Sequence, residues 1–362
     1  MKIGLDVRMI ESSGIGTTIR EFLNHLDESQ LRQLVLLAPP NWSNPYPCST
    51  VTVPYSIYSL KQHLFYPQIL KKEPFSFFHM PHYDIPFFYG GPLVVTVFDL
   101  THYLYPQFST KPFSKIYSHI LLKKIANQAH RIVVCSENTK KDLVRFFPKS
   151  ESKIRVLHLG VTRNIRRPSS GAISEILNIY NLKKGYFFYL GNLRPSKNTE
   201  GLLKAYSMLY EKKKGDLPPL VLAGKNSLKR NPSDFSKGIR YLGVVRESHL
   251  AALYSGSVGF VFPSFYEGFG LPPLEAMACE TPVLASDRGS LPEVCGDSVL
   301  YVDPNSVEDM ASKMGEILEN EGKRRELVKR GSKNVKRFSW DSFTKKLWEV
   351  YVDVDRNINK TK

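Results

Sequence analysis

The stretch F-P-S-F-Y-E-G-F-G-L-P-P-L-E-A-M-A-C-E, residues 262–280, decides the fold of this chain. The apolar run before it, residues 258–262, has the composition of a strand. Residues 274–278 after it have the composition of a helix, with Pro272 and Pro273 at the helix entry. A strand that ends in a Gly-rich turn and opens a helix is the repeating unit of α/β proteins.

The same alternation of short apolar runs and helical stretches continues along the chain and predicts parallel sheets with crossover helices. The predicted strands are residues 2–7, 33–37, 93–97, 131–135, 154–157, 186–190, 220–222, 239–242, 259–262 and 282–285. The predicted helices are residues 18–26, 112–129, 136–145, 306–320, 322–335 and 340–354. Residues 39–60 are Pro- and Ser-rich and predict an irregular loop, and residues 163–175 predict a linker. The chain therefore divides into domains at 1–165 and 175–339, followed by a terminal segment at 340–362.

The turn at residues 268–270 indicates a site for phosphate, because backbone amides and the positive end of a helix dipole attract anions. Glu267 and Glu275 stand on either side of this turn. Carboxylates repel phosphate, so they are better suited to accept hydrogen bonds from hydroxyl groups of a ribose or a sugar. Phosphate and polyol together describe a nucleotide sugar. The simpler alternative is an ordinary strand-to-helix turn with two solvated glutamates.

A second group of charged residues lies after the predicted strand 186–190, in the run G-N-L-R-P-S-K-N at residues 191–198. Arg194 and Lys197 follow the carboxyl end of that strand, where open α/β sheets bind ligands. When a nucleotide sugar reacts, negative charge builds up on the departing diphosphate. Two cations aimed at that charge stabilise the transition state more than the ground state.

Composition limits the classes of protein that fit. The chain has 362 residues, 42% hydrophobic content and four scattered cysteines, which favours a two-domain globular protein with reduced thiols and without a structural zinc site. Charged residues near the amino terminus and the absence of an apolar run of about 18 residues predict neither a signal peptide nor a membrane span. We expect a cytoplasmic protein.

The net charge of +16 is uneven, with 21 Lys and Arg against 11 Asp and Glu in residues 1–167. A basic surface of this kind attracts polyanions. No nucleic-acid-binding motif accompanies the charge, so nucleic acid is not an expected partner. Because aromatic residues are interleaved with the lysines, we expect a peripheral contact with anionic membrane at its inner face. A merely soluble basic face is the alternative.

The spacing of Glu267 and Glu275 resembles the E-x7-E signature of retaining glycosyltransferases with the GT-B fold, and residues 191–198 resemble the G-N-L-x-P-x-K-N motif of glycosyltransferase family 4. The resemblance covers nearly the whole chain. It implies two Rossmann-like domains whose parallel sheets face a central cleft, the first binding the acceptor and completed by the terminal helix, the second binding the donor. The donor-binding residues that it implies are Gly14, Gly16, Gly191, Asn192, Val244, Gly268, Phe269, Gly270, Leu271 and Glu275. The catalytic residues that it implies are Glu267, Arg194, Lys197, Asp99 and His102.

One departure from the family pattern lies in the first domain. Relatives commonly read T-x-H-D-L where this chain reads T-V-F-D-L at residues 96–100, so Phe98 stands in place of a histidine. That histidine usually lies near the transferred sugar. His79, His82 or His102 would have to substitute for it. The Gly turn S-S-G-I-G at residues 12–16 lacks the third glycine of a dinucleotide fingerprint.

The resemblance implies transfer of a hexose, with retention, from a nucleotide diphosphate sugar to a hydroxyl of a glycan or a lipid-linked acceptor. The motif variants look most like bacterial mannosyltransferases, which makes GDP-mannose the expected donor, with a UDP-sugar as the alternative. No metal or cofactor is expected, since Arg194 and Lys197 replace a cation. Two other functions stay open: a catalytically silent GT-B protein that binds a sugar nucleotide or a partner, and an epimerase or hydrolase on the same scaffold.

Overall fold

A computed structural model describes residues 1–12, 14–109, 112–227 and 235–360. The chain divides into two compact units: unit 1 comprises Met1–Gly160 with Ser339–Lys362, and unit 2 comprises Val161–Phe338. The division falls a few residues before the linker predicted at 163–175. That linker prediction is wrong from residue 170 onwards, because Ser169 caps a helix, Ser170–Ile179, which buries Ile173 and Leu177.

Unit 1 is built on a seven-stranded, wholly parallel sheet with the order β3-β2-β1-β4-β5-β6-β7. The strands are β1 (Ile3–Asp6), β2 (Leu34–Ala38), β3 (Ser49–Thr52), β4 (Phe77–Met80), β5 (Leu93–Val97), β6 (Arg131–Val134) and β7 (Ile154–Val156). The helices are α1 (Gly14–Asn24), α2 (Glu28–Leu31), α3 (Leu60–Lys72), α4 (Thr101–Leu104), α5 (Ser114–Gln128) and α6 (Glu137–Phe146), with 3-10 turns at Pro106–Phe108 and Pro148–Lys153. Apart from the two edge strands, β3 and β7, the strands are buried on both faces, which explains their continuous apolar runs.

The predicted loop at 39–60 is wrong in part, because β3 lies within it. β3 is an edge strand with mostly exposed residues, so its sequence carries no apolar signal. β4 was not predicted as a strand either.

Unit 2 is built on a six-stranded parallel sheet with the order β10-β9-β8-β11-β12-β13. The strands are β8 (Tyr186–Leu190), β9 (Leu220–Ala223), β10 (Ile239–Tyr241), β11 (Ser257–Phe262), β12 (Val283–Ser286) and β13 (Leu300–Val302). The helices are α7 (Ser170–Ile179), α8 (Thr199–Lys212), α9 (Leu250–Ser255), α10 (Leu271–Ala278), α11 (Leu291–Cys295), α12 (Val307–Glu319) and α13 (Glu321–Asn334), with 3-10 turns at Pro195–Lys197, Glu247–His249 and Val335–Arg337.

The last helix, α14 (Trp340–Lys360), belongs to unit 1 and extends beyond the predicted 340–354. Its apolar face carries Tyr351, which is fully buried and packs edge-on against Phe22 of α1 and Phe77 of β4. The Tyr351 hydroxyl lies 2.6 Å from Nδ1 of His79 in β4. The helix is therefore part of the hydrophobic core of unit 1.

Candidate active site

A predicted cation and a predicted carboxylate meet at the switch point of the unit 2 sheet. β8 and β11 are neighbours there, and the chain continues from them towards opposite edges of the sheet. Lys197 follows β8 and Glu267 follows β11, and Lys197 Nζ donates to Glu267 Oε1 at 2.6 Å and to Oε2 at 2.8 Å. Both side chains are largely buried, with 22% and 12% exposure. Open α/β sheets bind ligands at this place, so the pair lies where a substrate is expected.

Ser290 forms hydrogen bonds to carbonyl oxygens of the turn that carries Glu267. The buried Ser290 hydroxyl lies 3.0 Å from the carbonyl oxygen of Glu267 and 2.9 Å from that of Phe269, and the Ser290 amide also donates to Glu267. In a trans peptide the N–H points opposite to the C=O. The amides of Gly268 and Gly270 are therefore turned away from Ser290, which gives the turn one face of carbonyls and one face of donors.

The first turn of α10 offers fewer amide donors than the sequence pattern suggests. Gly270 precedes the helix at φ +99°, a conformation that favours glycine, and Leu271 is the first helical residue. Pro272 and Pro273 follow and have no amide hydrogen. The amide hydrogens at this end of α10 therefore belong to residues 268–271 and not to residues 272 and 273.

Glu275 lies on α10 with its Oε2 accepting a hydrogen bond from the Tyr254 hydroxyl at 2.8 Å. Desolvation by the surrounding protein raises the pKa of Glu275 to about 7, and the nearby Glu247 acts in the same direction, whereas the Tyr254 hydrogen bond opposes the rise. The carboxyl group is partly protonated near neutral pH. A hydroxyl that donates to it would favour the ionised form.

Residues 191–198 form a loop that is tied to its neighbours. The Gly191 amide donates to Ala223 at 3.0 Å, and the Leu193 amide donates to Lys225 at 2.9 Å, so the loop runs beside the end of β9. A Cβ on Gly224 would lie 2.1 Å from the Gly191 carbonyl oxygen, which requires glycine at 224. Arg194 is exposed on this loop and Asn192 is half-buried, so the structure brings Lys197 but not Arg194 into contact with Glu267.

Val244, predicted to flank the nucleobase, follows β10 and is 79% exposed. An exposed valine beside a ligand-binding sheet edge is available for apolar contact. Its role as a donor-binding residue stays a prediction.

In unit 1, Gly14 and Gly16 open α1, while Ser13 of the predicted Gly turn lies outside the described residues. A Cβ on Gly16 would lie 2.4 Å from the backbone oxygen of Ile10, whereas one on Gly14 would meet nothing within 4 Å. Gly16 is thus needed for packing against the preceding loop. Gly14 has no such constraint.

Asp99 and His102 follow β5. Asp99 Oδ1 accepts the Thr101 amide at 2.7 Å, and His102 Nδ1 lies 2.6 Å from the Tyr83 hydroxyl. Phe98, at the position of the family histidine, offers its carbonyl oxygen to Cys135 Sγ and Thr139 Oγ1. His102 is half-buried and is the first histidine after β5.

The structure separates the other two candidate histidines. His79 is buried between Tyr351 and Thr96, and burial lowers its pKa to about 3, so His79 serves the core. His82 is also buried, and burial lowers its pKa to about 4. Its two ring nitrogens are bonded to the Asp84 amide and the Tyr58 hydroxyl. Both ring nitrogens of each of these histidines are therefore bonded within unit 1.

Sequence reasoning missed the tyrosines that hold these groups, Tyr254 beside Glu275 and Tyr83 beside His102. Both are buried, and neither carries a signal of its own: Tyr254 ends the run L-A-A-L-Y, and Tyr83 stands between His82 and Asp84. Ser290 lies in the S-L-P-E stretch at residues 290–293, which does resemble the family.

Among the described residues, no group of three or more His, Cys, Asp or Glu side chains is arranged to hold a metal ion. The groups at the unit 2 switch point are instead the Lys197 ammonium, the Glu267 carboxyl and the backbone amides of the following turn, with Glu275 further along α10. An ammonium has three hydrogens, of which two point to Glu267, so Lys197 can also donate to a ligand phosphate. This set can bind an anion beside a polyol.

Two units built on parallel sheets, each with polar groups beyond the carboxyl ends of its strands, match the fold of the GT-B class of glycosyltransferases. Sucrose-phosphate synthase from Thermosynechococcus elongatus shares this fold with a TM-score of 0.80 and 19% identity, over 98% of this chain and 99% of that chain. Anabaena HepE in complex with UDP and glucose has a TM-score of 0.76 and 15% identity, over 97% and 99% of the two chains.

The chain belongs to glycosyltransferase family 4. The family model for Glycosyltransferase Family 4 matches residues 12–164, and that for Glycosyl transferases group 1 matches residues 173–334. The O-antigen chain mannosyltransferase B of Escherichia coli is 32% identical over 283 residues, which cover 76% of this chain and 73% of the relative. The expected fold class and the expected enzyme class are therefore confirmed.

Proposed function

We propose that this glycosyltransferase transfers mannose from GDP-mannose, with retention and without a metal, to a hydroxyl of a growing cell-surface glycan such as an O-antigen chain. The observation that carries the proposal is the Lys197–Glu267 pair at the switch point beside the 268–271 amides. The mannosyl group is supported by the similarity to O-antigen chain mannosyltransferase B. The complex of HepE with UDP and glucose supports a UDP-sugar as the other donor.

Each residue has a distinct role in this proposal. The amides at 268–271, together with Arg194 and Lys197, hold the diphosphate and receive the charge that develops on it. Glu275 accepts hydrogen bonds from ribose or sugar hydroxyls, and Glu267 orients the hydroxyls of the transferred sugar. Gly191, Asn192 and Val244 complete the donor site of unit 2, and Asp99 and His102 are the candidate catalytic residues of unit 1.

The donor is tested by thermal unfolding across a panel of GDP-, UDP-, ADP- and CMP-sugars with EDTA present. A ligand at 100 times its Kd adds about 2.7 kcal/mol to the stability of the protein that binds it. We expect GDP-mannose to produce the largest shift and to support transfer of labelled mannose. A larger shift with another sugar nucleotide would show that GDP-mannose is not the donor. A requirement for added divalent metal would show that the enzyme depends on a metal.

Two matched pairs of variants test the site. Glu275→Ala is expected to abolish the shift, whereas Phe98→His is expected to leave it intact. Lys197→Met is expected to lower kcat by a factor of about 100 or more, because an oxyanion contact is lost. Lys204→Met removes an exposed lysine of α8 and is expected to leave kcat unchanged. If Glu275→Ala keeps full affinity for the donor, Glu275 does not belong to the donor site.

We further propose that unit 1 contacts anionic membrane through a surface formed by α3 and α5, which we call the α3–α5 surface. It comprises the exposed apolar residues Leu60, Leu64, Phe65, Phe113, Ile116 and Ile120. Exposed lysines lie among them, including Lys61, Lys115 and Lys123. His63 of α3 bonds to Tyr117 of α5 at 2.8 Å, so the two helices lie side by side. Exposed apolar residues rimmed by basic ones favour an anionic lipid surface.

This contact is tested by co-sedimentation with phosphatidylglycerol-containing vesicles and with neutral phosphatidylcholine vesicles. We expect binding to the former only, weakened by salt. Ile116→Glu in the α3–α5 surface is expected to reduce binding at least tenfold. Ile179→Glu, at a residue of unit 2 that is 62% exposed, is the control and is expected to bind normally. Equal binding by both variants would contradict the proposal.

Among the described residues, no helix is long and apolar enough to cross a bilayer.

A further inference from the structure

The two oxygens of the Glu275 carboxyl group have different surroundings. Oε2 accepts the hydrogen bond of 2.8 Å from the Tyr254 hydroxyl. Oε1 has no hydrogen-bond partner among the residues that the structure describes, and Glu275 is only half-buried. A carboxylate accepts hydrogen bonds at both of its oxygens. Oε1 is therefore the oxygen that remains for a hydroxyl group of a ligand.

Tyr254 is fixed in place by its ring and by its backbone. The residue is fully buried, and its ring packs edge-on against Phe188 and Phe260, with centroid distances of 5.4 and 5.1 Å. Its carbonyl oxygen accepts a hydrogen bond of 2.8 Å from Thr281 Oγ1, just beyond α10. Because a packed core leaves little free volume for a ring to move, the hydroxyl stays directed at Glu275.

The hydrogen bond between Tyr254 and Glu275 has one direction. Burial raises the pKa of Tyr254 well above its usual value, and the charge of Glu275 raises it further, so Tyr254 stays protonated and donates. Desolvation raises the pKa of Glu275 to about 7, the Tyr254 hydrogen bond lowers it, and the nearby Glu247 raises it. Cys279 lies one turn further along α10 and is neutral, because burial raises its pKa to about 12. Among these groups, Tyr254 is the one that favours the ionised carboxyl.

The rings that hold Tyr254 also connect it to the switch point of the unit 2 sheet. Phe188 of β8 and Phe260 of β11 are paired on these neighbouring strands. Phe262, two residues further along β11, stacks on Phe260 at 5.9 Å, and Lys197 Nζ lies over the Phe262 ring at 5.4 Å. Residues two apart on a strand lie on the same face of a sheet. Tyr254 and Lys197 are therefore supported by one row of rings on one face of the sheet.

We propose that Tyr254 is a positioning residue, which holds Glu275 by Oε2 so that the ionised carboxyl group presents Oε1 to a hydroxyl of the sugar nucleotide. The inference rests on the proposed function for the identity of the ligand, but the contact between Tyr254 and Glu275 does not depend on it. Because Tyr254 is fully buried, it acts on the ligand through Glu275. Its effect on donor binding is largest at pH values at which Glu275 would otherwise be protonated.

The charge of Glu275 is tested without a ligand, by NMR titration of the full-length protein labelled with ¹³C at the glutamate carboxyl groups. The Glu275 signal is assigned by its loss in Glu275→Gln. Tyr254→Phe keeps the ring and removes the hydroxyl, and we expect it to raise the pKa of Glu275 by about one pH unit or more. Tyr186→Phe is the control, because it also removes a buried hydroxyl beside Phe188, but one that is bonded to the Leu253 carbonyl at 2.6 Å. A pKa of Glu275 that Tyr254→Phe leaves unchanged or lowers would overturn the inference.

The effect on binding is tested by calorimetry at pH 6.5 and pH 8.5, with the sugar nucleotide that stabilises the wild-type protein most. If the pKa of Glu275 rises from about 7 to about 8, the ionised fraction falls about eightfold at pH 6.5 and less than about twofold at pH 8.5. We therefore expect Tyr254→Phe to raise the Kd by about these factors, because only the ionised carboxyl accepts the ligand hydroxyl at both oxygens. Tyr186→Phe is expected to change the Kd by less than about twofold at both pH values.

The binding experiment separates the failure of this inference from the failure of the proposed function. An equal increase in the Kd of Tyr254→Phe at both pH values would mean that Tyr254 only supports the fold. That result would overturn the inference and leave the proposed function intact. If the wild-type protein binds none of the sugar nucleotides, the proposed function fails, whereas the NMR titration still decides whether Tyr254 controls the charge of Glu275.

Discussion

Gly14 and Gly16 look alike in the sequence, but the space around them differs, because only Gly16 packs closely against neighbouring backbone. A methyl group on Gly16 would meet the carbonyl oxygens of Ile10 and Met9 at 2.4 and 2.8 Å, and backbone atoms cannot move aside cheaply. We expect Gly16→Ala to destabilise unit 1 by about 1–3 kcal/mol. Gly14→Ala is expected to leave stability unchanged, since its methyl group would meet nothing within 4 Å. Urea unfolding monitored by circular dichroism measures both, and equal losses would contradict the packing argument.

The raised pKa of Glu275 gives donor binding a proton signature. At pH 6 the carboxyl group is mostly protonated, because its pKa is about 7. A ribose or sugar hydroxyl that donates to the carboxylate lowers this pKa, so the nucleotide is expected to release part of a proton on binding and to bind more tightly at pH 8 than at pH 6. Calorimetry in buffers with different ionisation enthalpies measures the release. Glu275→Gln is expected to abolish the proton release. If the binding heat of the wild-type protein is the same in all buffers, Glu275 does not contact the ligand.

At the scale of elements, α14 shows how a terminal segment can complete a distant core. Leu347 is 3% exposed on its apolar face, and Arg131 of β6 is paired with Asp353 at 2.5 Å. We expect Leu347→Ala to destabilise unit 1 by about 2–5 kcal/mol. Lys346→Ala, on the exposed face next to it, is expected to change stability by less than about 0.5 kcal/mol. Denaturant unfolding compares the two, and a similar effect of both would mean that the helix does not belong to the core.

The elements that the sequence predicted well are those with a strong apolar period. The strand at 93–97 was predicted with its observed bounds, and Ser136 caps α6 as expected. Among the elements that were not predicted are β3, β4, β13, the helices α3 and α8, and the first turns of α7. β3 and β13 are edge strands and α7 is a short helix, where exposure weakens the apolar pattern.

The residues of the candidate site also divide into those that the sequence predicts and those that it does not. Lys197, Glu267 and Glu275 were found because charged residues stand out in a strand-to-helix turn. Tyr254, Tyr58 and Tyr83 were not, since a buried tyrosine is indistinguishable from core in a sequence. Only the fold brings Tyr83 to His102, 19 positions away, and Tyr254 to Glu275, 21 positions away. Contacts between separate loops of a sheet edge are not encoded in local spacing.

At the scale of the whole molecule, each unit contains a titratable group whose pKa is shifted by desolvation, downwards in unit 1 and upwards in unit 2. In unit 1 burial lowers the pKa of His79 to about 3, whereas in unit 2 it raises the pKa of Glu275 to about 7. An unfolded histidine takes up a proton below about pH 6.5 and an unfolded glutamate does so below about pH 4.3. Between pH 7 and pH 5 the unfolded state therefore binds more protons at His79, and the native state binds more protons at Glu275.

Acidification from pH 7 to pH 5 is expected to destabilise the protein through His79 and to stabilise it through Glu275. The His79 contribution is about 2 kcal/mol at pH 5, and that of the partly exposed Glu275 is smaller, about 1 kcal/mol. Thermal unfolding of the wild-type protein, His79→Asn and Glu275→Gln at both pH values separates them. Relative to wild type, His79→Asn should lose less stability on acidification and Glu275→Gln should lose more. If both variants shift the pH dependence in the same direction, at least one of these groups is not ionised as its burial requires.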